Sequence, residues 1–254
     1  METRFEPNNP GIASEAAGLT QMERVADAYV APTRVFEDIR RSASWWLPFL
    51  LGIVVSIFFV YSVDRQIGFQ QVAQANINRN AQQQQRFDAM PAGQREQAMH
   101  TVATVTRVIS YSYPLVTLIF ALIAAGILMV SFNFGLGGKG TFQQYFAVWF
   151  YAGLPYLIKY ILAAIAIFAG ASAQQFDMRN PVGTNIGWYL SSDVSQWVRT
   201  LLSSFDLFTI WVLVLLVLGC ATVARVKRSS AAFVVVGWWL LIVFGSTIIA
   251  AFQG

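Results

Sequence analysis

The chain has 254 residues, of which 56% are apolar, 15% aromatic and only 12% charged, with a mean hydropathy of +0.52. A soluble domain carries roughly 25% charged residues, so this composition excludes an ordinary soluble enzyme and equally a disordered chain. The formal charge of +4 arises from 17 Lys+Arg against 13 Asp+Glu scattered along the sequence, and no basic run points to nucleic acid.

In chain order, residues 1–19 mix Glu2, Arg4, Glu6 and Glu15 with Pro7 and Pro10. They lack the apolar core of a signal peptide and are predicted to be a disordered tail. Thr20-Gln21-Met22-Glu23 reads as a capping box, followed by Met22, Val25, Ala26 and Tyr29 at helical spacing. Pro32 suits the first turn of a second short helix that carries Val35, Phe36 and Ile39 on one face. These amphipathic helices, within residues 20–44, fit either a position on the cytoplasmic membrane surface or packing against the protein's own spans.

A membrane-spanning helix needs about 20 apolar residues, and five runs meet that length or nearly so. They are about 45–63, 108–131, 142–170, 207–224 and 231–252. The fold class expected is therefore all-α, a polytopic membrane protein with a five-span domain over 45–252. The polar, Gln-rich segment 64–107 is predicted to be a helical hairpin with its turn near Met90-Pro91. In the segment 171–206, Asn180-Pro181-Val182-Gly183 reads as a turn. Trp188, Tyr189, Trp197, Leu201 and Leu202 then suggest an interfacial helix.

Arg40, Arg41, Arg225, Lys227 and Arg228 sit in short segments at span ends, which predicts a cytoplasmic N-terminus and an outside C-terminus.

Catalytic chemistry finds little support. The one histidine, His100, lies in a polar segment without the H-E-x-x-H spacing of a metalloprotease. The lone Cys220 sits in an apolar run, where it makes neither an internal disulfide nor a thiolate metal site. Gly135–Thr141 misses the phosphate-loop pattern, because Asn133 stands at the first Gly position and Gly140 follows Lys139. It is predicted to be a flexible turn. No catalytic residue, cofactor or metal site is expected.

Lys159 is the one ionisable group inside a span, with Pro155 one turn earlier. Intramembrane charges are functional candidates by default. No run contains an interior Asp or Glu, and Asp64 and Asp206 stand only at span ends. Lys159 is therefore expected to find backbone carbonyls at the Pro155 kink, Tyr hydroxyls or water, and Lys159→Met to be tolerated. In the fourth span, Gly219 invites close approach of another helix, with Trp211 two turns earlier expected to pack above it.

Across residues 20–252 the chain resembles the Yip family, membrane proteins named for interaction with Ypt/Rab GTPases, and in particular its bacterial branch. The resemblance rests on Phe36-Glu37-Asp38-Ile39 ahead of Trp45-Trp46-Leu47-Pro48, on Gly153-Leu154-Pro155, and on Asp206-Leu207-Phe208-Thr209-Ile210-Trp211 with Leu215 and Gly219. It implies a five-span helical domain with a cytoplasmic N-terminus, here in a bacterial inner membrane. Eukaryotic relatives are linked to Rab binding, vesicle traffic and membrane shaping. Trp45-Trp46-Leu47-Pro48 replaces their D-L-Y-G-P stretch, so Rab-type GTPase binding is not expected.

The functional expectation is a non-enzymatic scaffold or membrane-organising factor. Its partners would be the lipid bilayer and a protein bound through the N-terminal segment, or a second copy in a homo-oligomer. The alternative is a transporter or channel component using Lys159 and the Pro155 kink.

Overall fold

A computed structural model describes residues 18–78, 81–170, 176–191 and 194–253. The predicted tail lies almost wholly outside them. The chain is an all-α polytopic membrane protein with five helices long and apolar enough to cross a bilayer. Among the described residues no strand forms, and a single β-bridge joins Asn185 and Asp206.

The first two helices, α1 (Gln21–Val30) and α2 (Pro32–Ile39), form an antiparallel hairpin. The Thr20 hydroxyl accepts the Glu23 amide, and the Glu23 carboxylate accepts the Thr20 amide at 2.8 Å. That reciprocal box starts α1 and holds the exposed Glu23 carboxyl below the usual range, the backbone amide of Thr20 being the largest cause. A buried ion pair closes the hairpin, with Arg24 Nη2 2.6 Å from Asp38 Oδ2 and its Nη1 donating to the Ser42 carbonyl.

The spans are α3 (Trp46–Gln66), α7 (Tyr113–Leu136), a broken pair α8 (Phe142–Ala152) and α9 (Pro155–Phe168), α11 (Leu207–Ala224) and α12 (Arg228–Gln253). The second span starts five residues later than its apolar run. Pro114 has no amide to continue the helix of residues 92–111, so a new helix begins at Tyr113. α11 is central, packing on α8, α9, α12, α7 and α2.

Sequence left two placements open for the N-terminal hairpin, and the structure takes the second. α2 runs along α11: Phe36 packs against Gly219, and Tyr29 of α1 meets Trp211 with ring centroids 5.8 Å apart. Val35, Phe36 and Ile39 are fully buried, so the apolar face meets protein rather than the membrane surface.

The Gln-rich segment is helical, as expected, in three pieces: α4 (Phe69–Asn78), α5 (Ala81–Asp88) and α6 (Ala92–Tyr111). The turn falls at Met90-Pro91, and α4 packs back on α6. Val72 and Ala73 of α4 join Phe59, Val63 and Ile167 in a second apolar core. The Gln82–Gln85 tract is exposed on α5.

The Gly135–Thr141 loop is held more firmly than a flexible turn. Asn133 donates to the Gly140 carbonyl at 2.7 Å and accepts from Tyr145 at 3.0 Å. The Lys139 amide donates to the Ala224 carbonyl at 3.2 Å, tying this loop to the end of α11.

Candidate functional site

The third span breaks at Gly153–Leu154 because Pro155 cannot donate an amide and instead opens α9 at its first turn. The break does not host the Lys159 ammonium. The Tyr151 carbonyl accepts from the Leu154 amide at 3.3 Å, and the Leu154 carbonyl accepts the Tyr29 hydroxyl at 2.9 Å. The Tyr29 hydroxyl thus ties the N-terminal hairpin to the break, adding a second donor to a carbonyl that already accepts the Leu157 amide at 2.9 Å. Burial pushes that Tyr29 hydroxyl up to about 12.

Lys159, one turn into α9, is buried and donates to Asp206 Oδ2 at 3.0 Å. This corrects the expectation that no carboxylate could reach it. Asp206 is the N-cap of α11: its Oδ1 accepts the amides of Phe208 at 2.9 Å and Thr209 at 3.3 Å. Its Oδ2 also accepts the Thr184 hydroxyl and, at 3.4 Å, the Asn185 amide. Burial would raise the Asp206 carboxyl, but the hydrogen bonds from Thr184 and Lys159, with the Lys159 charge, outweigh it and bring the group below its ordinary 3.8.

The connection before α10 (Gln196–Ser203) supplies the rest of the site. The Leu207 amide donates to the Thr184 carbonyl at 3.0 Å, pinning residues 184–185 against the start of α11. Asn180 and Asn185 exchange side-chain hydrogen bonds at 3.1 and 2.6 Å, and Asn185 Oδ1 also caps the 3-10 turn Ile186–Tyr189 through the Trp188 amide. Gly187 lies so close to Ser203 that a Cβ there would overlap its hydroxyl, which requires glycine and seats α10 on the turn. On the other flank the hydroxyls of Tyr156 and Thr209 meet at 3.2 Å. The assembly is a polar lock joining α9, α11 and the connecting loop.

Of the residues singled out in the sequence, Pro155, Lys159 and Asp206 come together here. Trp211 lies on the next turn of α11 but turns its ring to Tyr29, and what packs on Gly219 is Phe36 and Val148. Trp45 stacks on Phe150 at 5.6 Å and meets Phe146 edge-on at 4.9 Å, a packing role. Trp46 is 52% exposed at the first residue of α3 and takes no part in the lock. Sequence reading missed Thr184, Asn185 and the Arg24–Asp38 pair. The signal for the first two was the turn at Asn180–Gly183, which returns the chain toward α11.

A family model for the Yip1 domain matches residues 26–249. The chain belongs to the Yip1 domain family. The matched region opens inside α1 and closes inside α12, so the Yip1 domain includes α2, the α4–α6 layer and the whole Lys159–Asp206 lock. No curated protein and no solved structure matches the chain significantly.

Proposed function

We propose that this Yip1-domain chain is a non-enzymatic scaffold that organises a membrane, with its N-terminal face in the cytoplasm of a bacterium. The observation that carries the reading is the Lys159–Asp206 pair. The ammonium that would serve a transported anion is engaged by a carboxylate held by four further donors. A charge spent on locking α9 to α11 favours a rigid platform over a moving carrier. The competing reading, a transporter, draws on the broken third span beside buried polar groups, a feature of carrier binding sites.

Reconstitution into vesicles loaded with an anion-sensitive dye tests both. The scaffold reading expects chloride and phosphate leak no faster than in protein-free vesicles. Flux that Lys159→Met abolishes would overturn it in favour of transport.

Orientation rests on charge. Arg40, Arg41, Lys139, Arg225, Lys227 and Arg228 gather at the span ends on the side that α2 reaches, as positive-inside bias requires of a cytoplasmic face. A topology reporter fused after Gly254 should be active only outside the cytoplasm, and one inserted at Ser229–Ser230 only inside. The reverse pattern would invert the assignment.

A further inference from the structure

Three segments far apart in sequence converge at the end of the bundle reached by α2. Glu37, Arg40 and Arg41 come from α2 and the residues after it, Lys139 from the α7–α8 connection with Gln144 from the first turn of α8, and Arg225 from the end of α11. Together they line a cleft of about 500 Å³, with Val223 among its walls. Four cations face one carboxylate there. Among the described residues, no carboxylate forms an ion pair with Arg40, Lys139 or Arg225.

The cleft is built rather than accidental. Gln144, already part of the box that starts α8, donates to the Arg40 carbonyl at 3.2 Å and fixes α2 against α8. The Lys139 amide is pinned to the Ala224 carbonyl, one residue before Arg225. Arg225 itself has φ +58° and ψ +43°, and it is the one residue other than glycine at positive φ among those described. Glycine is the usual occupant of that helix-ending position, because a side chain there crowds the backbone. An arginine held where glycine would be easier points to a use for its side chain.

We propose that this cleft binds the phosphate of an anionic lipid headgroup. Guanidinium groups hold phosphate oxygens through paired charge-assisted hydrogen bonds, and two or three of them converging on one cleft suit a single phosphomonoester better than scattered surface charge does. A lipid is the source because the cleft opens where the spans end, at headgroup level. Phe134 and Phe233, both more than 80% exposed, stand on the helices that lead from those ends along the bilayer and offer a path for the acyl chains. The site lies at the opposite end of α11 from the Asp206 lock and does not depend on the scaffold reading.

The test uses the full-length protein in neutral detergent, titrated with dioctanoyl phosphatidic acid, dioctanoyl phosphatidylcholine or inorganic phosphate. Thermal melting and native mass spectrometry provide the readouts. Phosphatidic acid should raise the melting temperature and be retained one per chain, while phosphatidylcholine does neither. Arg225→Gly should leave the unliganded protein at least as stable, since glycine relieves the backbone. Combined with Arg40→Gln, it should weaken phosphatidic acid binding about tenfold or more. Arg179→Gln, a charge change on the other face of the bundle, should leave binding unchanged.

Equal binding by the wild type and the double variant would overturn the site. Stabilisation by inorganic phosphate as large as that by phosphatidic acid would overturn the lipid assignment. If Arg225→Gly melts well below the wild type, the arginine is a structural part of the helix end and the argument from its backbone fails.

Discussion

Replacing Asp206 with Ala is expected to destabilise the bundle by about 3–5 kcal/mol, the range for removing one partner of a buried ion pair. The change leaves the Lys159 ammonium buried with its carboxylate gone, and it strips the cap from α11. Lys159→Met should cost less, about 1–2 kcal/mol, because Asp206 keeps Thr184, Asn185 and two backbone amides. The double variant should therefore be more stable than Asp206→Ala alone, a coupling that chemical or thermal unfolding in detergent reads directly. If Lys159→Met proves as damaging as Asp206→Ala, the ammonium rather than the carboxylate organises the lock.

Acidity gives the same experiment a second axis. A carboxyl whose folded value lies below its ordinary 3.8 contributes stability above that value and loses it as pH falls through the lowered one. Melting should be insensitive to this group from neutral pH down to about 4 and fall only below 3.8. Asp206→Asn should remove that part of the acid fall.

The second large effect is expected at Gly219. A Cβ there would sit 2.6 Å from Val148 Cγ1 and 2.9 Å from the Phe36 ring, so neither neighbour leaves room. Gly219→Ala should cost about 1–3 kcal/mol, and Gly219→Leu should exceed that by displacing α2 altogether. Displacement predicts faster tryptic cleavage at Arg24 and Arg34. Val148→Ala should restore part of the loss in the Gly219→Ala background, since it removes the nearest obstructing methyl. An unchanged melting curve and cleavage rate for Gly219→Leu would mean that α2 does not dock on α11.

The five spans were legible because bilayer crossing is a one-dimensional property, set by length and apolarity along the chain. The break at Pro155 and the cap at Thr20 were legible for a similar reason, since each depends on a few adjacent residues. The partner of Lys159 was not. Asp206 stands at the end of its own helix, which suggests a surface position. Yet α11 has 18 residues against 27 across the third span, so the end of the shorter helix is recessed beside the second turn of α9. Phe168 closes α9 nine residues beyond Lys159, roughly 14 Å further along the axis. Depth in a bundle depends on how unequal helices align, and no local pattern records it.

The N-terminal hairpin was ambiguous for a different reason. Val35, Phe36 and Ile39 form one apolar stripe whether they meet lipid or protein. The ion pair of Arg24 with Asp38 joins residues 14 apart on separate helices, beyond the reach of helical periodicity.

The docking of α2 on α11 also sets an order of events during synthesis. Phe36 leaves the ribosome about 180 residues before Gly219 exists, an interval of roughly ten to forty seconds at ordinary elongation rates. α8, which also packs on α2, is made before α11, yet the stripe that will face α11 stays partly uncovered until that helix exists. A bilayer surface is an apolar partner within reach of a segment already tethered to its first span. The amphipathic character that suggested a resting place on the membrane thus describes where this hairpin waits, and the packed core describes where it finishes.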